Sequence, residues 1–201
     1  MPTNHLKYFD PQLPDADINY YKDFLTEQEA SHFFATLLNT LNWQQHHIKI
    51  FGKSLPQPRL TALYAETRMA YTYSGLTLRP LPFTPELRKI KTELKEFIAE
   101  DFTHCLANLY RDGKDSMGLH ADDEKELGRN PVIASVSLGE TRKFRLKHKF
   151  DKNLKLDIDL EPGSLLIMQG STQHFWKHEL PKTATIKRPR INLTYRRILQ
   201  E

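Results

Sequence analysis

Apolar positions fall into two regimes along the chain. In its first half they recur at helical spacing, and beyond residue 104 they alternate. Thr26 with Glu29 forms a capping box, and Phe33, Phe34, Leu37, Leu38 and Leu41 follow it as one stripe. A second helix is predicted after Thr84, with Pro85 in its first turn and a stripe of Leu87, Ile90, Leu94, Phe97 and Ile98. Both stripes read as core faces. Downstream, HCLANLY, PVIASVSLG, RKFRLKHK, LKLDIDL, SLLIMQG and RINLTYRR each suit a short strand. In LKLDIDL the alternation is strict, Leu154, Leu156, Ile158 and Leu160 against Lys155, Asp157 and Asp159. Asp151-Lys152-Asn153 and Glu161-Pro162-Gly163 punctuate the run as turns. Short antiparallel strands behind two helices predict a mixed, mainly β fold. Its core is a double-stranded β-helix (jelly-roll), with the N-terminal helices packed on one face.

Residues 1–20 carry Pro2, Pro11 and Pro14 without a helical period and are expected to be an extended arm, leaving 21–201 as a single domain. A length of 201 residues suits one buried core. No apolar run approaches the roughly 18 to 20 residues of a membrane span, and the first twenty residues hold no apolar secretory core. One cysteine, Cys105, excludes an internal disulfide framework and a thiolate metal cage. A cytoplasmic monomer without a membrane partner is the expectation. The formal charge of +4 is modest but unevenly placed. Arg142, Lys143, Arg145, Lys147, Lys149, Lys152 and Lys155 crowd one stretch, and Lys182, Lys187 and Arg188 another. A polyanionic partner would account for this through counterion release; a solvated hairpin would carry the same run.

The sharpest chemical signal is Gly118-Leu119-His120-Ala121-Asp122. In extended chain, residues two apart share a face, so His120 and Asp122 can address one point. One more imidazole would complete the facial triad of a non-haem Fe(II) oxygenase. His178 is favoured because it follows a strand and a loop that can return it to the first pair; His174, His148 and His104 remain rivals. In the last strand, Arg190, Asn192, Thr194 and Arg196 alternate with Ile191, Leu193 and Tyr195. Two arginines on a buried face need an anionic partner, which a dicarboxylate would supply. An edge strand with a solvated polar face is the alternative.

The joint pattern H-x-D, a distant His, and R-x-N-x-T-x-R, preceded by Asn108-Leu109-Tyr110, resembles the AlkB family of Fe(II)/2-oxoglutarate dioxygenases over roughly residues 50–199. The resemblance implies Fe(II), 2-oxoglutarate and O2 as cofactor and cosubstrates, and His120, Asp122 and His178 as iron ligands. It also implies that Asn108, Tyr110, Arg190, Asn192, Thr194 and Arg196 hold 2-oxoglutarate. The substrate implied is alkylated duplex DNA, with 1-methyladenine or 3-methylcytosine as the type of lesion. An RNA or protein target of the same chemistry is the alternative. A nucleotide-recognition segment is expected at about 46–82. There Tyr71 and Tyr73 share a strand face and suit stacking of an extruded base. Phe51, beside Gly52 and Lys53, resembles the residue that wedges into the gap left by a flipped base. Asp123 matches a base-contacting position. Ala121 departs from relatives that carry arginine there, which leaves any substrate contact from that position in doubt. Ser135, Ser137 and Cys105 are assigned no catalytic role.

Overall fold

The computed structural model describes residues 8–50, 52–66, 71–73 and 76–199, with the backbone alone described at 8, 49–50, 71–73 and 76–78. In chain order the elements begin β1 (Tyr8–Phe9), β2 (Asp17–Tyr21), α1 (Glu27–Thr40), β3 (His47–Ile50), β4 (Lys53–Pro56) and β5 (Leu60–Ala65). They continue as β6 (Tyr71–Tyr73), β7 (Leu76–Leu78), β8 (Leu81–Pro82), α2 (Pro85–Ile98), β9 (His104–Tyr110) and β10 (Met117–His120). The remainder are β11 (Ile133–Gly139), β12 (Arg142–His148), β13 (Lys155–Leu160), β14 (Leu165–Gln169), α3 (Thr172–Phe175), β15 (Trp176–Leu180) and β16 (Arg190–Arg196).

Eight strands form the large sheet, ordered β1-β2-β14-β11-β16-β9-β5-β8, and four form the small one, β10-β15-β12-β13. Hairpins β3–β4 and β6–β7 stand apart from both. The two helices start where the sequence caps them. Thr26 Oγ1 accepts from the Glu29 amide while Glu29 accepts from the Thr26 amide, and Thr84 caps α2 ahead of Pro85. Residues 17–21, in the extended N-terminal stretch, are the strand beside β14 in the large sheet.

Period-two alternation divides the large sheet between two chemistries. On β9, β11 and β16, Cys105, Ala107, Leu109, Ala134, Val136, Leu138, Ile191, Leu193 and Tyr195 pack with Phe33, Leu37, Leu87, Ile90 and Leu94 of the helices. The other faces of these strands turn toward the small sheet. There Ile18, Ile133, Leu166 and Met168 pack with Phe144, Leu146, Ile158, Leu160 and Trp176. The polar members of the same faces, between the sheets, line the pocket described next. Among the described residues no helix is long and apolar enough to cross a membrane.

Candidate metal and dicarboxylate site

His120 ends β10 and His178 is its direct partner on β15. Cross-strand pairing thereby brings two residues 58 positions apart in the chain face to face, with ring centroids 4.2 Å apart. Asp122 lies just past the strand end, its carboxylate oxygens 3.8 Å from Nε2 of each histidine. The ligand atoms of the three lie within 4.8 Å of one another, so a single ion can touch all three. His120 Nδ1 lies 2.9 Å from the Gly118 carbonyl, to which it can only donate; its Nε2 lone pair is then left facing Asp122. Burial lowers the proton affinity of both imidazoles, His178 to about 3, and each presents a neutral ligand nitrogen at neutral pH. Burial also opposes ionisation of Asp122, but Arg196 and the two histidines outweigh it and hold its carboxyl at about 2. The Arg196 Nη2 donates to Asp122 Oδ1 at 2.7 Å, and the Asp122 amide donates to Gln173 Oε1 at 2.9 Å.

The rivals are placed elsewhere. His174 bonds to Asn130, His148 sits in an aromatic cluster with its Nδ1 accepting from two amides, and His104 contacts Thr103.

The same pocket is walled by Asn108, Tyr110, Arg190, Asn192, Thr194 and Arg196, all six of the residues expected to meet a dicarboxylate. Apolar Met117, Phe144, Leu160, Met168 and Leu180 close it. Arg190 Nη2 donates to Ser137 Oγ at 2.9 Å, its guanidinium stacks 5.5 Å from the centre of the Tyr110 ring, and its Nε meets no acceptor among the described residues. Burial depresses Arg190 from 12.5 to about 10, opposed only in part by Tyr110 and Tyr20, and no carboxylate among the described residues counters it. A buried cation without an anion is costly. A dicarboxylate fits it, just as two imidazoles and a carboxylate fit Fe(II).

Three supporting residues were not read from the sequence. Arg59 Nε donates to Asn108 Oδ1 at 2.8 Å in the interior, orienting that amide. Ser135 accepts from Asn192 and Ser137 from Arg190, which ties the polar face of β16 to β11. Their signal was period two on β11: Ser135 and Ser137 stand opposite Thr194 and Asn192 in register. Arg59, in the short loop after Pro56 and Pro58, carried no such signal.

The residues expected to meet substrate are less fully described. Asp123 is exposed and pairs with Lys149 at 3.3 Å. Tyr71 and Tyr73 lie two apart on β6, but their side chains fall outside the described residues, as does Phe51 altogether. Ile50 and Lys53, which flank that position, are paired in the β3–β4 hairpin.

The profile of the 2OG-Fe(II) oxygenase superfamily matches residues 17–196. The human alpha-ketoglutarate-dependent dioxygenase alkB homolog 3 is 39% identical over 187 residues, covering 89% of this chain and 65% of its own length. The mouse DNA oxidative demethylase ALKBH2 is 37% identical over 180 residues, 86% of this chain and 72% of that protein. The chain belongs to the AlkB family of 2OG-Fe(II) oxygenases. Fe(II), 2-oxoglutarate and O2 are the cofactor and cosubstrates of that class. The solved structure of OsALKBH1 shares the fold, with a TM-score of 0.63 at 19% identity over 96% of this chain and 99% of that one. The chain spans 65% of the length of the human and mouse alkB homolog 3 proteins.

Proposed function

We propose that this AlkB-family oxygenase removes alkyl groups oxidatively from nucleobases of the 1-methyladenine and 3-methylcytosine type in DNA, acting as a cytoplasmic monomer on duplexes. What carries the reading is a single buried pocket that joins a His-Asp-His donor set to an uncompensated guanidinium. The likeness to a DNA oxidative demethylase of 37% identity supports the substrate class.

When bound, iron and 2-oxoglutarate would supply O2-dependent hydroxylation of an N-methyl carbon, with 2-oxoglutarate converted to succinate and CO2. The N-hydroxymethyl product then loses formaldehyde and leaves the unmodified base. His120, Asp122 and His178 would hold the metal, with Gly118 fixing the tautomer of His120 and Arg196 keeping Asp122 ionised. Arg190, Asn192, Thr194, Asn108 and Tyr110 would hold the cosubstrate. The apolar wall from Phe144 to Leu180 keeps water from the reacting atoms. Asp123, Tyr71 and Tyr73 would receive the extruded base, and Phe51 would fill the stack behind it, within a recognition segment at about 46–82.

The test is release of formaldehyde and succinate by iron-loaded protein offered 2-oxoglutarate and a duplex with one 1-methyladenine, beside Asp122→Ala and a methylated RNA. Equal release of both products, larger for DNA and lost in the variant, is expected. Succinate without base repair would move the target to RNA or protein. No 2-oxoglutarate turnover under any condition would end the reading.

A further inference from the structure

Asp122 supplies the one carboxylate of the metal triad, yet it belongs to no strand or helix. β10 ends at His120, and residues 121–124 are irregular. Only 1% of Asp122 is exposed. A buried amide outside regular structure must find an acceptor elsewhere or bear the loss of water. Here the acceptor comes from far along the chain: the Asp122 amide donates to Gln173 Oε1 at 2.9 Å.

Gln173 is as buried as the residue it holds, and it is not among the residues that line the pocket. Its Nε2 meets only the Met168 sulfur, at 3.8 Å, among the described residues. The oxygen is therefore the working end of this side chain. A neutral amide offers that acceptor without setting a second anion beside Asp122, whose carboxylate is already matched by Arg196.

The turn that carries Gln173 is itself gripped. α3 is a single turn, too short to persist on its own. Ser171 Oγ donates to the Asp15 carbonyl at 3.2 Å, Thr172 Oγ1 accepts from the Asp17 amide at 2.8 Å, and Trp176 Nε1 donates to the Pro14 carbonyl at 2.9 Å. Lys149 Nζ donates to the Gln173 carbonyl at 2.9 Å. The N-terminal stretch 14–17 and the end of β12 thus fix the turn, and the chain runs directly on into β15 and His178. One short segment supplies a metal ligand and holds the main chain of another. The β10–β15 ladder alone would hold them less firmly, because its register shifts between Met117 and His120, next to the site.

We propose that Gln173 is a positioning residue for the metal centre. Through the Asp122 amide it sets the carboxylate against His178 Nε2, at the 3.8 Å that lets one ion touch both. Without that acceptor the 121–124 segment would turn its amide toward another partner and carry the carboxylate with it. The assignment concerns the metal site, which every reading of the substrate shares.

The experiment titrates Mn(II) alone into the full-length, metal-free protein, with the free ion counted by electron paramagnetic resonance. Gln173→Met keeps the volume and removes the acceptor. Gln173→Asn keeps the amide but withdraws it by one methylene. Both should weaken Mn(II) roughly ten- to hundredfold, the range for loss of a group that orients a metal ligand. Tyr195→Phe is the control: it removes another buried bond, from the Tyr195 hydroxyl to the Leu87 carbonyl at 2.8 Å, on the helix side of the large sheet. All three variants should melt roughly 2 to 4 °C below wild type. Only the two Gln173 variants should also lose Mn(II) affinity and change the fine structure of the bound ion's spectrum, which follows the symmetry of its ligands. An affinity within about threefold of wild type in either folded Gln173 variant, or an equal loss in Tyr195→Phe, would overturn the proposal. Hydrogen exchange in the metal-free wild type needs no variant. The Asp122 amide should exchange as slowly as the strand amides around it, and exchange at the rate of an unprotected amide would overturn the proposal equally.

Discussion

Replacing Arg190 with methionine should stabilise the ligand-free protein and destroy its affinity for 2-oxoglutarate. The side chain is fully buried, and burial brings its guanidinium from 12.5 down to about 10. At about 1.4 kcal/mol per tenfold change, holding that charge in the folded interior costs about 3 kcal/mol. Methionine keeps the aliphatic stem and removes the charge. Two favourable contacts go with it, the bond to Ser137 and the stack on Tyr110, each worth about 1 kcal/mol. The net gain is about 1 to 2 kcal/mol, or roughly 2 to 8 °C in melting temperature for a domain of this size. Binding should move the other way. Removing one partner of a buried charge pair costs about 3 to 5 kcal/mol, which weakens 2-oxoglutarate at least a hundredfold. Scanning calorimetry without ligands tests the first half, and calorimetric titration of 2-oxoglutarate into the Mn(II)-loaded protein tests the second. A variant that melts below wild type, or that binds within tenfold of it, would refute the assignment of Arg190 as a cation waiting for its anion.

Three further outcomes follow from the same geometry. Asp122→Ala leaves Arg196 charged and buried, so it should lower metal-free stability by about 3 to 5 kcal/mol in urea unfolding as well as abolish Mn(II) binding; unchanged stability would break the link between the pair and the fold. Arg59→Met removes the donor that orients Asn108 and should raise KM for 2-oxoglutarate roughly tenfold with little change in kcat, whereas a fall in kcat alone would deny it a positioning role. His120 and His178 both have folded values below the ordinary 6.5, so below that value the unfolded chain takes up protons first. Metal-free stability should therefore be fully present above pH 6.5 and fall as pH drops toward 3, by up to about 1.4 kcal/mol per pH unit for each histidine; a flat urea-midpoint profile between pH 7.5 and 5 would contradict this.

What could be read from the sequence was whatever depends on local periodicity. Both helices begin at their caps, and β16 divides into an apolar face toward the helices and a polar face toward the pocket, because period two needs no knowledge of partners. The pair His120 and Asp122 was legible for the same reason. His178 could only be preferred over His174, since the deciding fact is the register of β10 against β15, and register is set by neighbours distant in the chain. Arg59 was invisible because it meets Asn108 only through the pairing of β5 with β9. The basic stretch was legible only in part, for a different reason. Net charge is additive along a sequence, but compensation depends on which acids the fold places opposite, and Asp157, Glu179 and Glu140 were silent until the hairpins closed.

The two arginines of β16 show how far this goes. They are alike in sequence, six residues apart on one face of one strand, and both are buried. Arg196 is matched inside the protein: its guanidinium bonds Asp122 and helps hold that carboxyl at about 2. Arg190 sits at the other end of the strand, against Tyr110 and Ser137, with no carboxylate to meet it among the described residues. One therefore serves the metal end of the pocket through a residue of the chain, while the other can be satisfied only by something that arrives. The pocket lining carries two guanidinium charges against one carboxylate, with both histidines neutral, and is left with one positive charge in excess. A divalent cation at the triad raises that excess, and a dianion beside it brings the excess back to its starting value. Metal and dicarboxylate are thus electrostatically coupled through this strand, and the affinity for either is expected to rise when the other is present.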